Sequence, residues 1–275
     1  MYRPILTILF LLCSSFQFSD ASATDTIIRV GGSGTGTGII KQLAGEFEKR
    51  NPGIKIAMAP SLGSSGGIKA LLGGSLDIAM SARPLKDNEK NSGAAAVFSG
   101  RTPFAFMVNR SVAKTGISTG ELVAIYGLRQ QNWPDGTQIR LILRPEGDSD
   151  TKLIQTISPD FSQALKTAIS QPGMHIALTD QDSDKAIVRT QGALGGTTIA
   201  QFKCDKLNGK LLALNGVKPT VRNLKDGSYP LAKKQMVIVI PARSNPSIKK
   251  FISYITSPRA IRIWEKFGVI PDDKV

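Results

Sequence analysis

The chain has 275 residues and a formal net charge of +14, with the hydrophobic content of an ordinary soluble globule and few aromatics. That length fits one large domain or two lobes around a sizeable core. The positive balance points to an anionic partner; nucleic acid is disfavoured because the bases are scattered rather than interleaved with aromatics, and a membrane-surface role because the apolar positions of the basic segment 249–266 form a core-facing stripe.

Residues 1–23 read as an export signal. Arg3 gives the positive start, Ile5–Leu12 a short apolar stretch, and Ala21-Ser22-Ala23 a small-x-small cleavage site, so the mature chain is expected to begin at Thr24. Lipidation at Cys13 is the rival; Leu12 stands where a small residue usually precedes a lipidated cysteine. No later run is long and apolar enough for a membrane helix. Cleavage leaves Cys204 as the only thiol, so no internal disulfide forms and packing alone stabilises the fold. Cys204 reads as a buried or idle thiol, and the single histidine, His175, as a helix-end or surface residue, since no motif surrounds it.

Strand-like and helix-like patterns then alternate. Ile27–Val30 predicts a strand, and Ile39, Ile40, Leu43 and Phe47 lie at helical spacing before the stop Asn51-Pro52-Gly53. Ile54, Ile56 and Met58 alternate as in a strand, Ser64–Gly74 gives a glycine-rich turn and short helix, and Leu76–Met80 is another apolar strand. This β-loop-α-β-loop-α-β order predicts a parallel sheet with ligand loops at the carboxyl ends of its strands. Small and polar residues over 86–100 read as a loop. Beyond it, Pro103–Val108 predicts a strand, and the capping box Ser118-Thr119-Gly120-Glu121 starts a helix running to Tyr126. The spacing further predicts a strand over 139–143 ending at Arg144, helices over 152–157, 161–169 and 185–189, strands over 211–214 and 236–240, and helices over 247–255 and 259–267.

Three loops share one chemistry. Gly31–Gly38, Ser61–Gly67 and Glu146–Thr151 each follow a strand, open a helix and carry small hydroxyl residues. Helix N-termini offer unpaired N–H groups and a partial positive charge, and Ser and Thr add donors without bulk, so such loops suit tetrahedral oxyanions. The first loop is neither a Walker A motif nor a GxGxxG fingerprint, and each loop alone could be a turn with a helix cap. Together with Arg144, whose guanidinium suits bidentate oxyanion contacts, the three make an anion cradle the stronger reading. No His, Asp and Glu cluster has metal-ligand or catalytic spacing, so neither a cofactor nor a catalytic residue is expected.

At these residues the chain resembles the phosphate-type solute-binding proteins of ABC transporters, over nearly all of its mature length. GSGTGTG resembles that family's first anion loop, SLGSSGGIKALLGGSLDIAMSARPL is the most specific match, and GELVAIYGLRQQNW, LRPEGDSDT, GALGGTTIA and YPLAKKQMVIVI resemble later landmarks. The resemblance implies an α/β, two-lobed type II periplasmic-binding-protein fold, each lobe a mostly parallel sheet flanked by helices, with two hinge crossings. Candidate crossings are Thr102–Val108 and Gln235–Ile240, which puts lobe one at 24–104 and 236–275 and lobe two at 105–235. It also implies a site made of Gly34, Thr35 and Gly36 from the first loop, Ser64, Ser65 and Gly66 from the second, Ser81 at the end of the third strand, Arg144 as the clamp, and Ser149, Asp150 and Thr151 at the following helix start.

Two departures stand out. The aspartate that many members carry directly after the serine corresponding to Ser81 is absent, since Ser81-Ala82-Arg83-Pro84 stands there. The third loop has an extra residue, and Asp150 replaces the glycine usual between the residues corresponding to Ser149 and Thr151. Asp148 or Asp150 either replaces the missing carboxylate or is an exposed helix cap. The implied function is capture of inorganic phosphate or a similar oxyanion by a monomer in the periplasm, for delivery to an ABC permease. A binding protein for sulfate, molybdate, tungstate or an organic acid, a sensory or adhesion protein, and a phosphate-releasing enzyme are the alternatives on the same fold.

Overall fold

The computed structural model describes residues 26–273. The export signal, its cleavage site and Cys13 lie outside the described residues. Among the described residues no helix is long and apolar enough to cross a membrane.

The chain opens as the alternation predicts. Strand β1 (Thr26–Gly32) runs through a single 3-10 turn at Gly34–Gly36 into helix α1 (Thr37–Arg50); β2 (Ile54–Ser61), α2 (Gly63–Leu72) and β3 (Ile78–Ser81) follow. β1 pairs in parallel with both β2 and β3, so the glycine-rich loops after β1 and β2 emerge on the same edge of the sheet. Next come α3 (Asp87–Asn91), the long β4 (Ala95–Asn109), β5 (Gly116–Ile117), α4 (Thr119–Tyr126), β6 (Arg140–Leu143), α5 (Ser149–Ile154), α6 (Pro159–Ser170), β7 (His175–Ile176), α7 (Asp180–Arg189), β8 (Ala193–Thr198) and α8 (Ile199–Cys204). The chain ends with β9 (Gly209–Leu211), β10 (Ala213–Leu214), α9 (Val221–Lys225), β11 (Ala232–Val239), α10 (Pro246–Ile255), α11 (Pro258–Lys266) and β12 (Ile270–Pro271). The Ser118–Glu121 capping box forms as expected: the Glu121 amide donates to Ser118 Oγ at 3.1 Å, and the Ser118 amide to Glu121 Oε2 at 3.0 Å.

The main sheet runs β2-β1-β3-β11-β4-β8-β6-β7. Its two wings are parallel, β2-β1-β3 and β8-β6-β7, and an antiparallel pair joins them: β11 against both β3 and β4. β4 belongs to both wings. Its residues 95–103 pair with β11, and Phe104–Val108 pair with β8. At the junction the Phe104 amide donates to Leu231 O at 2.9 Å, and the buried Tyr229 hydroxyl donates to Phe104 O at 2.7 Å.

Each wing has its own apolar core. Around β1 and β3, Val30, Ile40, Phe47, Phe251 and Trp264 pack together, with the Phe98 ring stacked on Trp264 at 4.2 Å. Around β6 and β8, Phe104, Phe106, Tyr126, Trp133 and Phe161 make the second core, in which Tyr126 and Phe161 meet edge to face at 5.0 Å.

Several elements depart from the periodicity. Residues 86–100, read as a loop, contain α3 and the first half of β4. Glycine is required at one point of that half-strand, because a Cβ on Gly100 would stand 2.8 Å from Ile270 O of the crossing β12. β8 is hidden by Gly195 and Gly196; a Cβ on Gly196 would lie 2.2 Å from the Phe104 ring. Helices α5 and α7 begin at Ser149 and Asp180, earlier than the apolar spacing suggests, because Asp148 and Thr179 cap them through side-chain oxygens. The run 211–214 splits into β9, which pairs with β4, and β10, which pairs with β5.

Candidate functional site

The three glycine and hydroxyl loops meet at the seam between the wings. From the β1 side comes the 3-10 turn. Ser33 and Thr35 are buried, with Ser33 Oγ donating to Thr35 Oγ1 at 3.3 Å and Thr35 Oγ1 to Asp180 Oδ1 at 3.2 Å. Gln181 Nε2 donates to Gly34 O at 3.0 Å, so the start of α7 grips this turn across the seam. Both ends of the turn are closely packed: a Cβ on Gly34 would displace the Asp180 and Gln181 side chains, and one on Gly36 would lie 2.3 Å from Met80 Cε.

From the second loop, Ser64 is buried at the start of α2 and its Oγ accepts the Ala82 amide at 2.9 Å, tying α2 to the end of β3. Ser65 is exposed and accepts from Arg83 Nη2 at 3.2 Å, and Gly66 lines the cleft beside it. Ser81 turns away into its own loop, donating to Arg83 O at 2.7 Å and accepting the Arg83 amide at 3.2 Å.

From the other wing comes Arg144, directly after β6 and only 7% exposed. Nη1 donates to Ala177 O at 2.8 Å and Nη2 to Asp148 Oδ2 at 3.0 Å, while the buried Nε has no hydrogen-bond partner and lies 4.0 Å from Asp150 Oδ2. Burial works against the Arg144 charge, yet Asp180, Asp148 and Asp150 together outweigh it and hold the guanidinium above its usual pKa. Thr151 spends its hydroxyl on Arg144 O and Pro145 O, at 3.2 and 2.9 Å, and so fixes the backbone that carries the clamp.

Of the two loop carboxylates, Asp148 is the cap of α5. Its Oδ1 accepts the Asp150 amide at 2.8 Å, and its other oxygen holds Arg144. Asp150 is buried rather than an exposed cap. It pairs with Lys233 of β11, whose ammonium also donates to Ser149 Oγ at 2.7 Å. Burial raises the Asp150 carboxyl above the ordinary carboxylate range; Lys233 pulls it back without cancelling the effect, and Asp180 and Asp148 add to the rise.

Several site residues are not apparent from motif reading: Lys233, Asp180, Gln181 and Gln235. Lys233 and Gln235 alternate with exposed Lys234 along β11, a period-two signal that places two polar side chains on the buried face. Thr179-Asp180-Gln181-Asp182 is a helix-start signature that marks the missing first turn of α7. Behind Asp180 lies Asp184, 2% exposed, which accepts from Gln201 Nε2. Burial pushes its carboxyl up to about 8, with Asp180, Asp205 and Asp150 adding to the rise.

In front of Lys233 and Ser149 opens a cleft of about 390 Å³, bounded by Leu62–Gly66, Arg83 and Lys86 on one side and by Gly147–Ser149 and Lys152 on the other. A larger groove of about 540 Å³ lies beside Arg140 and His175, and none of the glycine-loop residues reach it. His175 is exposed there, on β7. Burial pushes the half-buried Cys204 thiol up to about 12, which makes it a poor nucleophile. No group of metal-ligating side chains occurs among the described residues.

Protein SphX of Synechococcus elongatus is 29% identical, across 97% of this chain and 84% of its own length. The phosphate-binding protein PstS of Borreliella burgdorferi is 22% identical across 98% of both chains. Among solved structures, a Clostridium perfringens chain described as a phosphate ABC transporter substrate-binding protein, with bound phosphate, superposes with a TM-score of 0.74 at 20% identity, over 90% of this chain and all of that one. That likeness establishes the fold as the two-lobed type II periplasmic-binding-protein fold. Residues 19–259 match the family model described as the PBP superfamily domain, and the chain belongs to that superfamily.

Proposed function

We propose that this protein captures a tetrahedral oxyanion, inorganic phosphate, between its two lobes in the periplasm and presents it, as a monomer, to an ABC permease. Lobe one comprises 24–104 and 236–275, and lobe two 105–235. One observation carries the reading. Arg144 is buried at the seam with its Nε–H unpaired, 4.0 Å from Asp150 Oδ2, and Asp150 in turn pairs with Lys233, whose ammonium donates to Ser149 Oγ. Buried donors are almost always satisfied, and an unpaired Arg N–H is best satisfied by an anionic oxygen. In this reading Gly34, Thr35 and Gly36 supply hydroxyl and amide donors from lobe one, with Ser64, Ser65 and Gly66 completing that side, while Ser81, expected in the site, holds its own turn through Arg83. Arg144, Ser149, Asp150 and Thr151 serve from lobe two. The name of the PstS relative, a phosphate-binding protein, supports phosphate as the anion. Donors drawn from both lobes make the closed state the one that satisfies the anion fully, so ligand and closure favour each other.

The cluster suits binding rather than turnover. The side chains nearest the seam are donors and paired carboxylates, and Cys204 is held as a thiol. Equilibrium dialysis of ligand-stripped protein against labelled phosphate tests the reading. Phosphate should be retained and displaced by excess unlabelled phosphate, while sulfate at the same excess displaces little. Retention of sulfate or molybdate in preference to phosphate would replace the proposed ligand.

A further inference from the structure

Lys233 is an unusual residue for its place. It lies on β11 beside the junction with β4, and it is 2% exposed. Lysines are almost never so deeply buried unless paired, because the ammonium loses its hydration. Its packed stem alternates with exposed Lys234, so the sheet itself turns the side chain inward.

An ammonium has three N–H donors. One contacts the Asp150 carboxylate and one reaches Ser149 Oγ at 2.7 Å. No other partner for Lys233 occurs among the described residues, and Lys233 itself lines the 390 Å³ cleft opposite Ser64, Ser65 and Gly66. The carboxylates around Arg144 sharpen the point. Asp148, Asp150 and Asp180 outnumber Arg144 and Lys233 in the buried cluster, whereas Arg83, Lys86 and Lys152 line the cleft mouth, so it is at the buried end that an arriving anion needs a cation free to turn toward it.

We propose that Lys233 is a direct anion-recognition residue of this site. Its ammonium donates to an oxygen of the bound oxyanion while Ser149 and Asp150 hold it in place. Asp150 is then the counter-charge that keeps a buried lysine in position in the empty site, and the anion shares that lysine when it enters. The same strand carries Lys233 through the junction between the wings, so the anion contacts the connecting strand as well as the loops. This inference rests on the oxyanion reading above.

The alternative role is a purely structural ion pair tying α5 to β11, and the two roles separate experimentally. Removing one partner of a buried pair is disruptive, whereas replacing both by neutral groups is often tolerated. Lys233→Met keeps the stem volume, Asp150→Asn keeps the shape, and the double variant removes the pair without leaving an orphan charge. Thermal melting and phosphate calorimetry should be run on wild type, Lys233→Met, Lys233→Arg and the double variant. The expected result is a double variant that melts cooperatively near the wild-type temperature yet binds phosphate at least about tenfold more weakly, as loss of a charge-assisted hydrogen bond implies, with Lys233→Arg retaining more affinity than Lys233→Met. A double variant that binds phosphate as tightly as wild type overturns the inference and leaves the oxyanion reading standing. A wild-type protein that binds no oxyanion overturns both.

Discussion

Asp150 has the most to decide among the single residues. It stands where the family pattern has no carboxylate, it is buried, and its carboxyl is raised. A carboxylate beside the anion accepts a hydrogen bond from a protonated oxyanion, as phosphate is near neutral pH, and meets only an unpaired charge from sulfate. Such asymmetry gives selectivity through the cost of a buried unsatisfied acceptor, roughly 1–3 kcal/mol or more when charged. Wild type should therefore prefer phosphate over sulfate by more than about tenfold. Asp150→Asn, which supplies an amide donor, should narrow the gap by raising sulfate affinity. Asp148→Asn should leave selectivity alone and loosen Arg144, since Asp148 already divides its oxygens between that side chain and the helix cap. Equal affinity of wild type for the two anions would contradict the argument.

Asp184 tests the same electrostatics through stability. Its carboxyl is raised to about 8 in the fold, so the folded chain holds a proton there that the unfolded chain releases in the ordinary carboxylate range. Between that range and about pH 8 the native state binds more protons, and stability falls as pH rises through the window. Asp184→Asn removes the penalty. It should raise Tm above neutral pH, by roughly 2–4 °C for each kcal/mol regained in a protein of this size, and change it little in acid. A Tm difference independent of pH would show that Asp184 is not the titrating group. Neither Asp184 nor Lys233 was open to motif reading, because each gains its role from burial. Thr35, Arg144 and Ser149 were legible, because donors in glycine-rich turns carry their chemistry in local sequence.

The placing of the loops depends on how closely α2 lies on β1. A Cβ on Gly67 would stand 2.4 Å from the Gly32 Cα, and Gly32 itself has φ +113. Only glycines let the second loop approach the first, and that approach brings Ser64 to the end of β3. Gly67→Ala must push α2 outward, and overpacking of this kind costs typically 1–3 kcal/mol. The urea midpoint should drop and phosphate affinity should fall with it; an unchanged midpoint would mean that α2 shifts freely. The β1-α1-β2-α2-β3 unit was readable because its apolar periods are clean. β8 and the first half of β4 were not, since the glycines that admit Phe104 and β12 erase the apolar signal of a strand. Short α8 and α9 lack the length for a helical period to show.

The whole molecule is two parallel wings hung on the antiparallel pair β4 and β11, with the charged cluster at the seam. Tyr229 and Leu231 pin one connection to the other at Phe104, so rotation between the wings must pass through a narrow waist. The contacts of Asp180 and Gln181 with the Gly34–Gly36 turn are the ones that closure would make and opening would break. Small-angle scattering should accordingly show a smaller radius of gyration when phosphate is added to stripped protein, and no change on adding sulfate at the same concentration. An unchanged radius with saturating phosphate would place the anion within one wing. The net charge of +14 adds long-range attraction for any anion, so affinity at the seam should be compared at fixed ionic strength.

Whether a seam clamped by Arg144 holds phosphate is tested by calorimetric titration of stripped wild type beside Arg144→Ala. Truncating one partner of a buried, hydrogen-bonded charge pair costs about 2–5 kcal/mol, at least twentyfold in affinity. Arg144 follows β6 at the seam rather than filling either apolar core, so the variant should still unfold cooperatively. The expected result is saturable single-site heat from wild type and its loss in a folded Arg144→Ala. Phosphate heats that are the same in the two proteins, or absent from both, would contradict the account.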